Sequence, residues 1–428
     1  MMKSNLRLNL ALLPILVILL VFLQLAYPSA VWKMLLVGLG GAWLGGYLWA
    51  RGLARNLRMT REMRYGWVQV GDRLEERFTV VNGSFFPATW LEVDDHSNIP
   101  GYLASRATNA GGKSVNQWFT DGVCTRRGLY TLGGTTLRAG DPFGVYTVSV
   151  HDPASMTLLV LPPVVPLPPI AINPGGYGSA GRPRPRAPDQ TVNAAGVREY
   201  QPGDSLRLIH WPNSAKYDKP FVRLFDGTPA GDVWVLLDLE RAVQVGEDWN
   251  STEEHGVILA ASLADRFLRA RQGVGLAVNG KELTWIPAQQ NAAQRWAIFR
   301  ALALAECGDL ELGSMLERMG NSFGRRSSLV IITAAGPGWL EKLLPLVWRG
   351  IVPTVLLLDP LSFGGEHSAA ATETTLRRMG VPCHVITQDL LNRPEAHPGR
   401  RGQWEWRAGP HRPVLTHAPE DTDWGELA

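Results

Sequence analysis

Cysteine is scarce. Three residues in 428 are too few for a disulfide-built scaffold or a four-cysteine zinc site. Charge is sparse too, at 19% of residues against the roughly 25% usual for soluble domains. It is also nearly balanced, with 42 Lys+Arg against 39 Asp+Glu, and a net +3 over this length is no electrostatic footprint for nucleic acid. No HExxH, no CxxC pair and no GxGxxG after the first α/β strand occur, so the common metalloprotease and dinucleotide signatures are missing. Gly275–Lys281 has the GxxxxGK spacing of a phosphate loop. Glu282 stands where the magnesium-binding Ser or Thr belongs, however, and Gly275 falls inside a strand. Apolar residues are not lacking: they make up 45% of the chain and exclude a wholly disordered one.

Much of that apolar content lies at the start. Leu10–Ala26 reads LALLPILVILLVFLQLA and Met34–Ala50 reads MLLVGLGGAWLGGYLWA, both uncharged. Each run approaches the length of about 20 residues that crosses a bilayer, and the pair predicts a transmembrane hairpin with helices at about 8–27 and 33–50. Lys3 and Arg7 precede it, and Arg51, Arg55, Arg58, Arg61 and Arg64 follow in a basic juxtamembrane segment. Lys33 is the single charge between the two runs. The positive-inside rule then makes this a multi-pass cell-membrane protein with both termini and the soluble domains cytoplasmic. Trp43, Tyr47 and Trp49 suit an interfacial belt, and Gly41 and Gly45, with Ala42 and Gly46, are read as packing the hairpin internally.

After a membrane segment over 1–65, residues 66–165 turn to short alternating runs such as RFTVV and GVYTVSV. Asn82-Gly83, Gly111-Gly112 and Asp141-Pro142-Phe143-Gly144 separate them, which predicts an antiparallel β-sandwich. Residues 166–192 are rich in Pro, Gly and Arg and read as an extended, exposed linker. Within 231–390, strands such as Val233–Asp238 and Leu329–Thr333 alternate with helical periods, one of them capped by Ser251 and Glu254. The pattern predicts a doubly wound α/β domain. Residues 391–428 read as a tail.

The segment 193–230 is the densest in chemistry. Gly196, Arg198, Glu199, Tyr200, Pro202, Gly203, Asp204, Arg207, Ile209, Trp211, Ser214, Ala215 and Lys216 follow the pattern G-x-R-E-Y-x-P-G-D-x-x-R-x-I-x-W-x-x-S-A-(+). This resembles the signature of domain-of-unknown-function family 58, a group of membrane-anchored proteins. Arg127-Gly-Leu-Tyr130 and Asp141–Gly144 agree with the same family. The resemblance implies a von Willebrand A-like C-terminal domain. It also implies association with a MoxR-type AAA+ ATPase and with transglutaminase-like membrane proteins. In von Willebrand A-type domains the first strand ends in Asp-x-Ser-x-Ser, whose oxygens hold a hard divalent ion. Here the run is Asp238-Leu-Glu240-Arg-Ala242, so Asp238 is the remnant of a degenerate site, and no metal or cofactor is expected.

The functional expectation is a non-enzymatic, membrane-anchored adaptor or assembly factor without a catalytic residue. Arg198, Glu199, Tyr200, Pro202, Gly203, Asp204, Arg207, Trp211, Ser214 and Lys216 would serve as structural network or docking surface. The alternative is a hydrolase or transferase acting on envelope precursors, with His210 beside Asp204 or Ser214.

Overall fold

The computed structural model describes residues 3–63, 66–168, 170–173, 194–200, 211–217, 219–225, 231–320, 322–324, 327–390, 405–407, 414–417 and 425–426. It separates into two compact units, Met1–Pro163 with Pro398–Ala428, and Val164–His397.

The first unit opens with strand β1 (Lys3–Leu8), then helices α1 (Leu12–Ala26) and α2 (Ala30–Asn56). Ser29 starts α2 by accepting the Val31 N–H at 3.2 Å. By length and composition α2 is the helix among the described residues that can cross a membrane; α1, at 15 residues, is shorter. The end of α2 is different in kind, because Ala50 and Leu53 are fully buried in the strands that follow. Those strands are β2 (Leu57–Met63), β3 (Trp67–Gln69), β4 (Arg73–Asn82), β5 (Ala88–Asp95), β6 (Arg106–Ala110), β7 (Ser114–Val123), β8 (Gly128–Gly140) and β9 (Tyr146–Leu161).

One sheet has the order β1-β9-β8-β5-β6, antiparallel throughout, with β3 added parallel to β9. The other is antiparallel, β2-β4-β7, with Gly425–Glu426 along the end of β2. Alternation along β4 buries Leu74, Glu76, Phe78, Val80 and Asn82, the period of two that a strand imposes.

Three expectations change here. The helix expected from about residue 8 begins at Leu12, and the chain before it forms β1, paired along Lys3↔His151 to Leu8↔Tyr146. Of the basic segment, Arg51 and Arg55 lie on α2, Arg64 lies outside the described residues, and Arg58 and Arg61 are on strand β2. Arg61 is a buried cation that bridges Glu76 and Asp95 at 2.6 Å each, not a charge at the membrane surface. Gly41 and Gly45 do not pack the apolar helices together, since a Cβ at either would meet nothing within 4 Å. Gly46, by contrast, has a close neighbour, the Asp141 carboxylate, 3.1 Å from where its Cβ would stand.

The second unit begins with chain laid along its surface. Val165 packs on Ile258 and donates its N–H to Ser262 at 3.0 Å, and the Asn173 N–H reaches Thr354 Oγ1 at 3.0 Å. The first part of the proline-rich stretch is thus fastened and not free, with Val165 and Ile170 buried; its Arg182, Arg184 and Arg186 lie outside the described residues. Next come β10 (Ala194–Glu199), α3 (Trp211–Tyr217) and β11 (Phe221–Phe225), with β10 and β11 forming a two-stranded antiparallel ribbon.

The remaining elements are β12 (Val233–Leu237), α4 (Thr252–Arg269), β13 (Val274–Asn279), β14 (Leu283–Gln289), α5 (Ala292–Leu304), α6 (Leu312–Met319), β15 (Ser328–Thr333), α7 (Leu344–Trp348), β16 (Thr354–Leu358), α8 (Ala370–Arg378) and β17 (Cys383–Ile386). The sheet order is β14-β13-β12-β15-β16-β17, all pairs parallel except β13–β14. Its central strands are buried on both faces, which is why they read as continuous apolar runs. Gly256 of α4 lies against Leu237 on one face. Leu316, Leu346 and Leu376, from α6, α7 and α8, share a core with Trp234, Leu236, Ile331 and Leu357.

Helix α5 begins at Ala292 under an Asn291 cap, directly after the edge strand Leu283–Gln289. An edge position tolerates Pro287, which has no N–H for a ladder. Before α7 the chain makes a 3-10 turn over Pro337–Leu343.

Candidate functional site

The carboxyl ends of β12, β13 and β15 bring three polar side chains together. Asp238 follows β12 and is 3% exposed; Asn279 ends β13 and Thr333 ends β15, both fully buried. Parallel pairing of Leu237 with Val278 and with Ile332 puts these ends level. Asn279 Nδ2 donates to Asp238 Oδ1 at 2.7 Å, and the Glu240 N–H reaches the same oxygen at 3.1 Å. Thr333 Oγ1 donates to Asp238 Oδ2 at 2.5 Å.

A further layer holds these groups. Asn279 also donates to Leu310 O and accepts the Leu239 N–H. Thr333 Oγ1 accepts the Ala335 N–H. Gln244 donates to Asp238 O while accepting from Thr252 Oγ1.

Burial raises the Asp238 carboxyl above the usual carboxylate range, and the donors from Thr333, Asn279 and Glu240 work the other way. Burial also raises Glu240, as does the neighbouring charge of Asp238; its Oε2 accepts the Leu312 N–H. A divalent ion needs oxygen lone pairs in an octahedral or larger set. Here both Asp238 oxygens already face protein donors, and the loop that follows offers Glu240 and Ala242, with no hydroxyl at either position. Among the described residues no three His, Cys, Asp or Glu are grouped to hold a metal. The arrangement fits a closed hydrogen-bond knot tying three strand ends.

Packing accounts for the phosphate-loop spacing. A Cβ at Gly275 would collide with the Trp234 ring and one at Gly280 with Glu306 O, while Lys281 pairs with Glu306 at 3.2 Å. Burial pushes the Cys124 thiol up to about 12 and the Cys383 thiol to about 11, so both stay protonated.

The signature segment is a separate feature. Arg198 and Glu199 lie on β10, as backbone partners of Val222 and Phe221, and the Tyr200 N–H donates to Pro220 O at 2.8 Å. Ser214 accepts the Phe221 N–H at 2.8 Å, fastening α3 to the start of β11. Trp211 opens α3 with 70% of its surface exposed, and Tyr217 ends it, also exposed. The Lys216 ammonium lies 5.3 Å from the Tyr217 ring centre, itself 5.6 Å from Phe221. Pro202, Gly203, Asp204, Arg207 and His210 lie outside the described residues. Asp238 stands out in the sequence and Thr333 only as the end of a strand; the signal for Asn279 is a polar residue ending an otherwise apolar strand, VGLAVN.

Fold and site define a class: an apolar N-terminal helix joined to antiparallel sheets, followed by a mostly parallel sheet whose central carboxylate is occupied by protein donors. Residues 196–362 match the family model described as "Protein of unknown function DUF58". Uncharacterized protein YeaD of Bacillus subtilis is 25% identical over 295 residues, covering 65% of this chain and 70% of that one. Uncharacterized protein Rv1480 of Mycobacterium tuberculosis is 27% identical over 174 residues, 38% of this chain. The chain spans about half, 54%, of that mycobacterial relative. The family match and these relatives support the resemblance read from Gly196–Lys216. Among solved structures, the SpRpn10 VWA domain aligns with 38% of this chain and 95% of its own at 12% identity and TM-score 0.27. A CARDB domain from Pyrococcus furiosus aligns with 24% and 94% at 14% identity and TM-score 0.19. Scores this low assign no fold.

Proposed function

We propose that this protein is a membrane-anchored, non-enzymatic adaptor or assembly factor that works with a MoxR-type AAA+ ATPase on envelope or membrane complexes. In this reading α1 and α2 form a transmembrane hairpin, the first unit is a cytoplasmic β-sandwich, and the six-stranded sheet is a doubly wound, von Willebrand A-like binding domain. The hairpin is supported by connectivity: β1 before α1 and β2 after α2 both belong to the first unit, so both helical ends return to one side. The basic residues Arg51, Arg55 and Arg58 give that side its cytoplasmic sign. A transglutaminase-like membrane protein is a further partner that the family resemblance suggests.

The observation that carries the docking role is the exposed aromatic pair on α3, Trp211 and Tyr217, inside the family-matched region. Large aromatics with Lys216 beside them supply the contact area that anchors an interface. The test is co-purification of the full chain in mild detergent from cells holding the MoxR-like ATPase. Wild type retains the ATPase. Trp211→Ala, with unchanged thermal unfolding, weakens retention by about 30-fold, the equivalent of a hot spot of about 2 kcal/mol. Equal retention by the variant removes α3 from the interface, and no enrichment by wild type removes the adaptor reading.

A further inference from the structure

Two exposed phenylalanines sit at the tips of turns that are fastened to the same stretch of α2. Phe85 is 79% exposed and Phe143 is 57% exposed. The Phe85 turn is held from inside by Asn82, fully buried, whose Nδ2 donates to Phe86 O and Gly111 O at 2.9 Å each and whose Oδ1 accepts the Ser84 N–H at 3.1 Å. Trp49 of α2 clamps the turn from the other side. Its Nε1 donates to Pro87 O at 2.8 Å and its ring stacks on Phe86 with centres 4.8 Å apart.

The Phe143 turn is equally constrained. The Asp141 carboxylate accepts the Phe143 N–H at 3.0 Å and the Tyr146 N–H at 2.6 Å, and the Gly144 N–H closes the turn on Asp141 O at 3.2 Å. Asp141 in turn rests on Gly46 of α2. Both turns therefore meet α2 between Gly46 and Gly52, since Phe86 lies 3.3 Å from where a Gly52 Cβ would stand.

That level coincides with the end of a membrane span. From Ala30 to Trp49 the helix rises about 30 Å at 1.5 Å per residue, the thickness of a hydrocarbon layer. Exposed Leu10 and Leu12 lead into α1 beside the Phe143 turn, where Asn9 donates its N–H to Val145 O at 2.8 Å and its Nδ2 to Thr147 Oγ1 at 2.7 Å. The apolar surface of the helices thus continues onto the turns. Exposed cations stand beside it: Arg51 and Arg55 on the last turns of α2, and Lys113, whose N–H donates to Ser84 O at 2.8 Å. Aromatic tips with cations on the adjoining helix and turn match the acyl–headgroup boundary of an anionic bilayer.

We infer that the Phe85 and Phe143 turns insert their rings into the cytoplasmic interfacial layer of the membrane, so that the β-rich unit is seated on the lipid surface instead of swinging beneath its anchor. The inference rests on reading α2 as a membrane span. A short α1, 15 residues long, gives such seating a physical purpose, because the turns extend the apolar girdle where that helix falls short.

The experiment uses the full chain in anionic vesicles, with Cys124, Cys307 and Cys383 replaced by alanine. Single cysteines at Val37, Phe85, Phe143 and Leu103 each carry an environment-sensitive fluorophore, quenched by nitroxides placed either shallow or deep on lipid chains. The expected result is strong shallow quenching at 85 and 143, deep quenching at 37 and none at 103, which is exposed in the β5–β6 connection, at the end of β5 opposite both turns. Deep quenching at 37 with positions 85 and 143 as unquenched as 103 overturns the seating and leaves the span intact. Absence of quenching at 37 overturns the span itself, and the seating with it.

Discussion

Asp238 accepts three hydrogen bonds and meets no cation among its described contacts, so the knot works by satisfying buried polar atoms. Removing the acceptor leaves the Asn279 amide and the Thr333 hydroxyl buried without it. Asp238→Ala is therefore expected to lower the stability of this sheet by about 1–3 kcal/mol, and Asp238→Asn by less, since one oxygen survives and no charge is buried. Hydrogen exchange of the β12 and β15 amides in the full chain measures both.

His255 supplies a pH response. It is fully buried on α4, with Nδ1 3.1 Å from Ser251 O, Nε2 3.3 Å from Gln388 O and its ring edge-on to Phe363. Burial holds its pKa below the ordinary value, although backbone acceptors at Gln388, Ser251 and Trp249 pull upward. The folded state thus favours neutral imidazole. Its contribution is complete above the unfolded value of about 6.5 and is lost as pH falls toward the lower folded value. Protection of α4 should drop between neutral pH and mild acid, with a flatter slope in His255→Gln. An unchanged slope would exclude His255 as the source.

At the scale of elements, β2 shows most clearly how a sequence reading goes astray. Arg58 and Arg61 look alike in the sequence, both part of a basic run after an apolar helix. Alternation along β2 turns Arg58 outward and Arg61 inward, where it meets Glu76, Asp95 and Ser97 and lies over the Phe78 ring at 4.9 Å. The partners come from positions 15, 34 and 36 residues away, so local inspection does not reveal them. Arg61→Ala leaves two buried carboxylates without their cation and should destabilise the first unit by about 3–5 kcal/mol, whereas exposed Arg58→Ala should change little. Denaturant midpoints of the two variants make the comparison. The Asp141–Gly144 turn was legible in advance because its residue types dictate its backbone. Its role was not, because Gly46, which admits the Asp141 carboxylate against α2, lies about a hundred residues away. Gly46→Leu should displace the turn and speed hydrogen exchange of the Phe143 and Tyr146 amides that the Asp141 carboxylate holds, and unchanged exchange would show that the contact is dispensable.

At the scale of the whole molecule, the apolar runs, the alternating middle and the strand–helix periodicity of the second unit were all readable, because hydrophobic period reports directly on which side of an element is buried. So was the family resemblance, carried by residue types at fixed spacing between Gly196 and Lys216. Three things required the folded chain. Only parallel register aligns the ends of β12, β13 and β15, so only the fold joins Asp238, Asn279 and Thr333. Only long-range pairing places β1 beside β9 and brings both ends of the helical segment to one unit. Only packing against α2 sets the Phe85 and Phe143 turns at one level. Sequence determines what each segment prefers, through local sterics and hydrophobic periodicity. Which distant side chains then share a buried volume depends on strand order and register, and those are decided when the chain closes its core.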